Sequence, residues 1–385
     1  MSEPAAVGAI AQSCTYFRNL IHRPIDQHIW RSLFLEKFDD PRPTYLLNGM
    51  DTNDYPWARV LQDRIRSETT LARRSKFRDL SLKDQARVLR VLTDTIFYSP
   101  MTSSLASSRD LQWVDGLVTS REILKGFHSD PHPSQLHAKL HVYWGSTTEE
   151  KQPSVSSRIR LASRTFVYDL RNYTSANLWG PFQDSPNAIV SWTHLNHLIN
   201  VVSMNLEDIM ELRDELRPPT GLSAVAPYTA PSVDPSSRDW AGIEGKWYRY
   251  RSFRIKHLAP LNTSILEEDD FQEAIRLIEL DLRIKDIQPD SSYPTRPKLF
   301  FEGTSRSTQQ GNETRVQGSV RMTSDGQVRW QYVSVYDGFT QWSSEGIQIG
   351  GVASAMGVIG AWTGSRHAEH DPVGPFWLWK VENFV

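Results

Sequence analysis

The sequence predicts an α+β protein: a helical N-terminal part followed by an antiparallel β-barrel of about eight strands. Three observations lead there. From residue 240 onward apolar and polar residues alternate with period two, the pattern of half-buried strands. Upstream, apolar residues recur at three- and four-residue steps, the pattern of amphipathic helices. Between the two, residues 217–238 gather five prolines with Ser, Ala and Thr, a composition suited to a linker.

Composition narrows the function. The 385 residues are 39% hydrophobic and include 13 tryptophans, enough for the cores of two or three domains. Lys and Arg number 43 against 45 Asp and Glu, a formal charge of -2, so no global field gathers nucleic acid or anionic lipid. Partners must be recognised by local surface. The single cysteine, Cys14, excludes an intramolecular disulfide and points to the cytoplasm or nucleus. The N-terminus lacks the basic and apolar regions of a secretory signal, so the sequons at Asn172, Asn262 and Asn312 read as unused. The most apolar window, residues 346–362, is broken by Gln348, Ser354 and several glycines, and reads as paired strands rather than a membrane span.

In chain order, Ile10, Cys14, Phe17 and Leu20 predict one helix, and Trp30, Leu33 and Phe34 a second after a loop at Pro24. Residues 41–74, with Pro41, Pro43 and Pro56, read as mixed and irregular. Ser81 and Asp84 resemble a capping box opening a helix to Phe97, whose stripe is Leu82, Val88, Leu89, Leu92 and Ile96. Short helices follow over 111–117 and 135–144, then one over 157–173 with Ile159, Ala162, Phe166, Val167 and Leu170 on a face. The strongest helical signal is 191–216, carrying Trp192, Leu195, Ile199, Val202, Leu206, Ile209 and Leu212. His128, His132, His137 and His141 invite a zinc reading, but their spacing fits no Cys/His pattern of structural zinc. His194 and His197 lack the glutamate of a zincin helix. Neither metal nor cofactor is expected.

Strand-like segments then recur over 244–256, 280–285, 298–303, 315–323, 327–336, 340–350, 357–362 and 376–381, with hairpin signals at Asp325-Gly326, Asp337-Gly338 and Gly350-Gly351. Eight antiparallel strands close into a barrel that can hold one ligand or peptide end; a β-sandwich is the competing architecture. Glu302, Glu345 and the cluster His367-x-x-His370-Asp371 are the groups available for catalysis. With no nucleophile elbow and no phosphate loop, no enzyme is expected, and His370 and Asp371 read as ordering a loop.

Cys14, Phe17-Arg18, Trp30 and Leu33 stand where the second and third helices of an F-box carry a cysteine, an aromatic-arginine pair, a tryptophan and a leucine. Leu35-Glu-Lys-Phe-Asp-Asp-Pro-Arg, Val167-Tyr-Asp-Leu-Arg-Asn-Tyr, Trp179-Gly-Pro-Phe and His370-Asp-Pro-Val-Gly-Pro-Phe-Trp resemble a group of fungal F-box proteins. No counterpart of that family's first helix, with its Leu-Pro start, is read ahead of Ile10. Gly245-Lys246-Trp247 resembles the lipocalin G-x-W signature, in which the tryptophan plugs the closed end of a barrel. The resemblance implies partial F-box helices over 1–40, a helical scaffold over 41–216, the linker 217–238 and a lipocalin-like barrel over 239–385. It also implies a non-catalytic substrate receptor of a Skp-cullin-F-box ubiquitin ligase. Cys14, Phe17, Leu20, Trp30 and Leu33 would then serve the F-box and its Skp-type adaptor. Arg249, Glu302, Arg321, Arg329, Trp330, Trp342 and Glu345 would recognise a substrate protein, with no nucleic acid or membrane partner. The alternative is a barrel that binds a small ligand or peptide without a ligase role.

Overall fold

The computed structural model describes residues 4–22, 27–74, 76–100, 105–130, 133–185, 187–208, 216–226, 238–254, 273–307, 313–352 and 354–381. They form two compact units, Met1–Ile123 and Leu124–Val385. The chain therefore divides earlier than the Pro-rich stretch, because the helices after residue 134 pack on the barrel.

The first unit contains α1 (Pro4–Ser13), α2 (Thr15–His22), α3 (His28–Lys37), α4 (Arg42–Leu47), α5 (Trp57–Ala72), α6 (Leu82–Phe97) and α7 (Arg109–Ser120). The helix expected to run through Cys14 is two helices. Cys14 caps the second: its carbonyl accepts from Arg18 N at 3.1 Å and its Sγ from Phe17 N at 3.5 Å. The stretch expected to be irregular contains α4 and the 16-residue α5. Its prolines precede or open those helices, where no amide hydrogen is needed. The buried face of α5 runs Trp57, Leu61, Arg64, Ser67 and Leu71, so an arginine and a serine interrupt the apolar period. Arg64 can be buried because Asp110 meets it with two hydrogen bonds, at 2.6 and 3.1 Å, under the rings of Phe34 and Phe38. In α6, Ser81 accepts from Asp84 N at 3.1 Å as expected of a cap, whereas Leu82 is 82% exposed and outside the stripe.

The second unit contains α8 (Gln135–Trp144), α9 (Pro153–Val167), α10 (Trp192–Glu207) and α11 (Leu222–Val225), then β1 (Gly245–Arg254), β2 (Glu273–Gln288), β3 (Lys298–Ser307), β4 (Glu313–Met322), β5 (Val328–Tyr336), β6 (Phe339–Gln348), β7 (Val358–Gly364) and β8 (Val373–Lys380). Each strand pairs antiparallel with the next and β8 pairs with β1, so the sheet is a closed barrel and not a sandwich. Asp337-Gly338 makes the tight turn between β5 and β6, with φ of 49° and 82°.

Helix α10 packs on β1, β7 and β8, whose outward residues Tyr250, Ile359 and Trp377 are buried. Glu273 at the head of β2 accepts from Arg164 at 2.7 Å and from the Tyr168 hydroxyl, which tie α9 and the residue after it to the barrel wall. The helix expected to reach Leu216 is described to Glu207; Ile209 and Leu212 lie outside the described residues. Part of the expected linker is packed structure. Leu222, Ala224 and Val225 are buried, and Ala224 O accepts from Met356 N at 2.7 Å in the β6–β7 connection. Residues 227–237 lie outside the described residues. No described helix is long and apolar enough to cross a membrane.

Candidate functional site

Period two along β1 sends Trp247, Arg249 and Arg251 to one face, and the register places that face inside the barrel opposite Leu280, Ile278 and Arg276 of β2. Trp247 closes one end. It is fully buried, donates to Ile243 O at 2.7 Å, and meets Trp330 edge-on at 5.2 Å between ring centres. Trp330 in turn donates to Gln348 Oε1 at 3.0 Å. Trp240, which precedes β1, donates to Pro297 O in the β2–β3 connection at 2.8 Å. This end is a tryptophan plug whose indole hydrogens are all satisfied.

Moving along β1 away from the plug, the interior changes from apolar to cationic. Arg249 is 2% exposed, with its guanidinium 5.1 Å from the Tyr332 ring centre and 5.2 Å from that of Phe376. It donates from Nη2 to Ser344 Oγ at 3.0 Å, while its Nε has no hydrogen-bond partner among the described residues. Arg251 is 6% exposed, lies 5.2 Å from the Trp362 ring centre, and also has an unpartnered Nε. Trp342 packs edge-on against Trp362 at 5.1 Å. Burial, and then the charge of Arg249, bring the Arg251 pKa down to about 10, which still leaves it charged at neutral pH. Neither arginine forms an ion pair among the described residues.

The interior is shaped for these side chains. A Cβ at Gly346 would stand 2.8 Å from the Phe376 ring, and one at Gly318 2.7 Å from the Phe301 ring, so glycine at both places lets the rings line the chamber. Burying a guanidinium without a carboxylate costs several kcal/mol that cation–π contacts of about 2 kcal/mol offset only in part. Guanidiniums so placed supply donors for an anionic group, through charge-assisted hydrogen bonds strengthened by the low dielectric around them.

The residues expected to recognise a substrate separate into two faces. Arg249, Trp330 and Trp342 lie inside, although Trp330 belongs to the plug. Glu302, Arg321, Arg329 and Glu345 lie on the outer face, as strand alternation requires. Glu302 pairs there with Arg283 at 2.8 Å and Lys285 at 3.2 Å. Arg329 and Glu345 are buried against each other at 2.9 and 3.0 Å, with the Phe182 ring 5.0 Å from the guanidinium. Gly245 precedes the plug with φ 116°. Among the F-box residues, Trp30 and Leu33 sit in the core of the first unit with Phe34, Phe38 and Leu61. Cys14 and Phe17 are exposed, and the side chain of Leu20 lies outside the described residues. Arg251, Tyr332, Trp362 and Phe376 are chamber residues that were not singled out. The signal for Arg251 was present, because it shares the face of Trp247 and Arg249.

The histidines have packing roles. His141 lies 2.6 Å from Asn196 Oδ1 and 2.9 Å from Glu150, stacked on Phe127. His137 packs on Phe127, and His194 and His197 pack on Phe166; His132 lies outside the described residues. No group of three potential metal ligands occurs among the described residues. Asp371 orders the β7–β8 connection by accepting from Ala368 N at 2.8 Å, and His370 is exposed. No family model, curated protein or solved structure matches the chain.

Proposed function

We propose that the chain is a non-catalytic substrate receptor of the F-box kind, whose barrel holds an acidic group of its target among Arg249, Arg251 and the rings around them. The observation that carries the barrel half of this reading is the pair of buried guanidiniums that, among the described residues, has no carboxylate partner. A cost of that size is sustained where a ligand repays it. The adaptor half rests on the F-box-like residues and on the apolar surface of α1 and α2, where Ile10 is 47%, Tyr16 71% and Phe17 41% exposed. Contact with a Skp-type adaptor would cover that surface. The chemistry of ubiquitin transfer would fall to other subunits, and the receptor would act by raising the effective concentration of its cargo.

A second reading is a barrel that binds a small anionic ligand without a ligase role. It is favoured by the burial of Arg249, which at 2% exposed presents almost nothing to a folded protein surface.

Tagged chain expressed in eukaryotic cells tests both halves. The first reading expects the Skp adaptor and a cullin to co-purify with the wild type and with Arg251→Gln alike, and at least one further protein with the wild type alone. Absence of adaptor from both preparations removes the ligase role. Cargo that is indifferent to Arg251→Gln removes the chamber as its site.

A further inference from the structure

The outer wall carries a second accumulation of positive charge. Leu299 pairs with Val320 and Arg321 with Arg329, so Lys298 on β3, Arg321 on β4 and Arg329 on β5 occupy successive places across three strands. All three face outward. Like charges directly opposite one another destabilise a sheet, and here two such contacts run side by side.

The neutralising groups fall short of the cations. Glu345 is committed to Arg329 through Nε and Nη2, and Arg329 Nη1 remains buried without a hydrogen-bond partner among the described residues. Arg329 itself is 3% exposed. Neither Lys298 nor Arg321, both half-buried, forms an ion pair or a side-chain hydrogen bond among the described residues. Asp290 is near enough to act on both through space and pairs with neither. Burial, then Arg321 and Arg329, hold the Lys298 ammonium below its ordinary pKa; burial, then Arg329, do the same to Arg321. Phe300, 4.5 Å from Lys298 Nζ, and Phe182 against Arg329 supply apolar flanks that keep the cluster partly dry.

We propose that Lys298, Arg321 and Arg329 form a binding site for a phosphate-type oxyanion, free or esterified. Three cations against Glu345, with Asp290 near but paired to neither Lys298 nor Arg321, leave an excess of positive charge that an added anion neutralises. Two guanidinium forks and an ammonium supply more donors than a single carboxylate can accept. The site shares no residue with the interior chamber and stands or falls separately from it.

Calorimetric titration of the full chain with inorganic phosphate, and separately with phosphoserine, at an ionic strength matched with sodium chloride, tests the assignment. Saturable binding is expected, weakened at least about tenfold in Lys298→Gln and in Arg321→Gln, since each removes a charge-assisted hydrogen bond. Both side chains are half-buried and form no ion pair among the described residues, so circular dichroism of the variants should match the wild type. Tighter binding of phosphoserine would assign the site to an esterified group, and tighter binding of inorganic phosphate to the free ion. No saturable binding of either probe, or binding unchanged in both variants, overturns the proposal.

Discussion

At ordinary pH a guanidinium has no neutral form to adopt, so a buried arginine must be compensated or must cost stability. Arg64 and Arg249 show the two outcomes: the first meets Asp110, the second, among the described residues, a serine hydroxyl and two rings. Histidine behaves differently because it can discard its charge. Burial, helped by His197, pushes the His194 pKa down to about 3, and burial pushes that of His197 down to about 4. In the unfolded chain both titrate near 6.5. The unfolded state therefore binds protons first as pH falls, and stability drops from about pH 6.5 toward pH 4, by up to about 1.4 kcal/mol per pH unit for each ring. Urea denaturation between pH 7 and pH 5 should show a shallower decline in His197→Gln than in the wild type. Equal slopes would contradict the neutral, buried assignment. Of these residue-scale features the sequence announces the side on which Arg249 lies, because alternation from Trp247 places it there. It does not announce what surrounds Arg249, which depends on residues as distant as Phe376, 127 positions along the chain (376 − 249).

At the scale of elements strands such as β1 and β4 were legible because they alternate over enough residues to show their period, and the β5–β6 hairpin because Asp337-Gly338 demands a left-handed turn, whereas β7 and β8 are buried along nearly their whole length and show no alternation. Helix α5 was not, since Arg64 and Ser67 occupy its buried stripe. Nor was α11, whose four residues lie in a Pro-rich context and are held by contacts with the barrel's β6–β7 connection. The same contacts fix what the barrel requires. Residues 239–385 alone would expose Tyr250, Ile359, Trp377 and Trp379 and would leave Glu273 without Arg164 and Tyr168. Each large side chain uncovered in this way costs about 1.5–3 kcal/mol, comparable in sum to the whole stability of a domain. A polypeptide of residues 124–385 is expected to unfold cooperatively with near-ultraviolet ellipticity, and one of residues 239–385 to lack both. A cooperative transition of the shorter piece at the temperature of the longer would show that α9 and α10 are dispensable.

For the molecule as a whole, a formal charge of -2 conceals an uneven distribution. The first unit neutralises its buried arginine, whereas among the described residues the barrel leaves Arg249 and Arg251 inside, and Lys298 and Arg321 on its wall, without an ion pair. Net charge and composition could not show this, since they sum over positions that the fold separates. If the inner pair is kept for a ligand, it is kept at the expense of the fold, and replacing it should relieve the barrel. Chemical denaturation of the full chain carrying Arg249→Met with Arg251→Met measures this directly. The unit Leu124–Val385 is expected to be as stable as the wild type or more stable by about 1–4 kcal/mol, while cargo is lost. A loss of several kcal/mol would show that the two arginines hold the barrel together, and would contradict the chamber as a binding site.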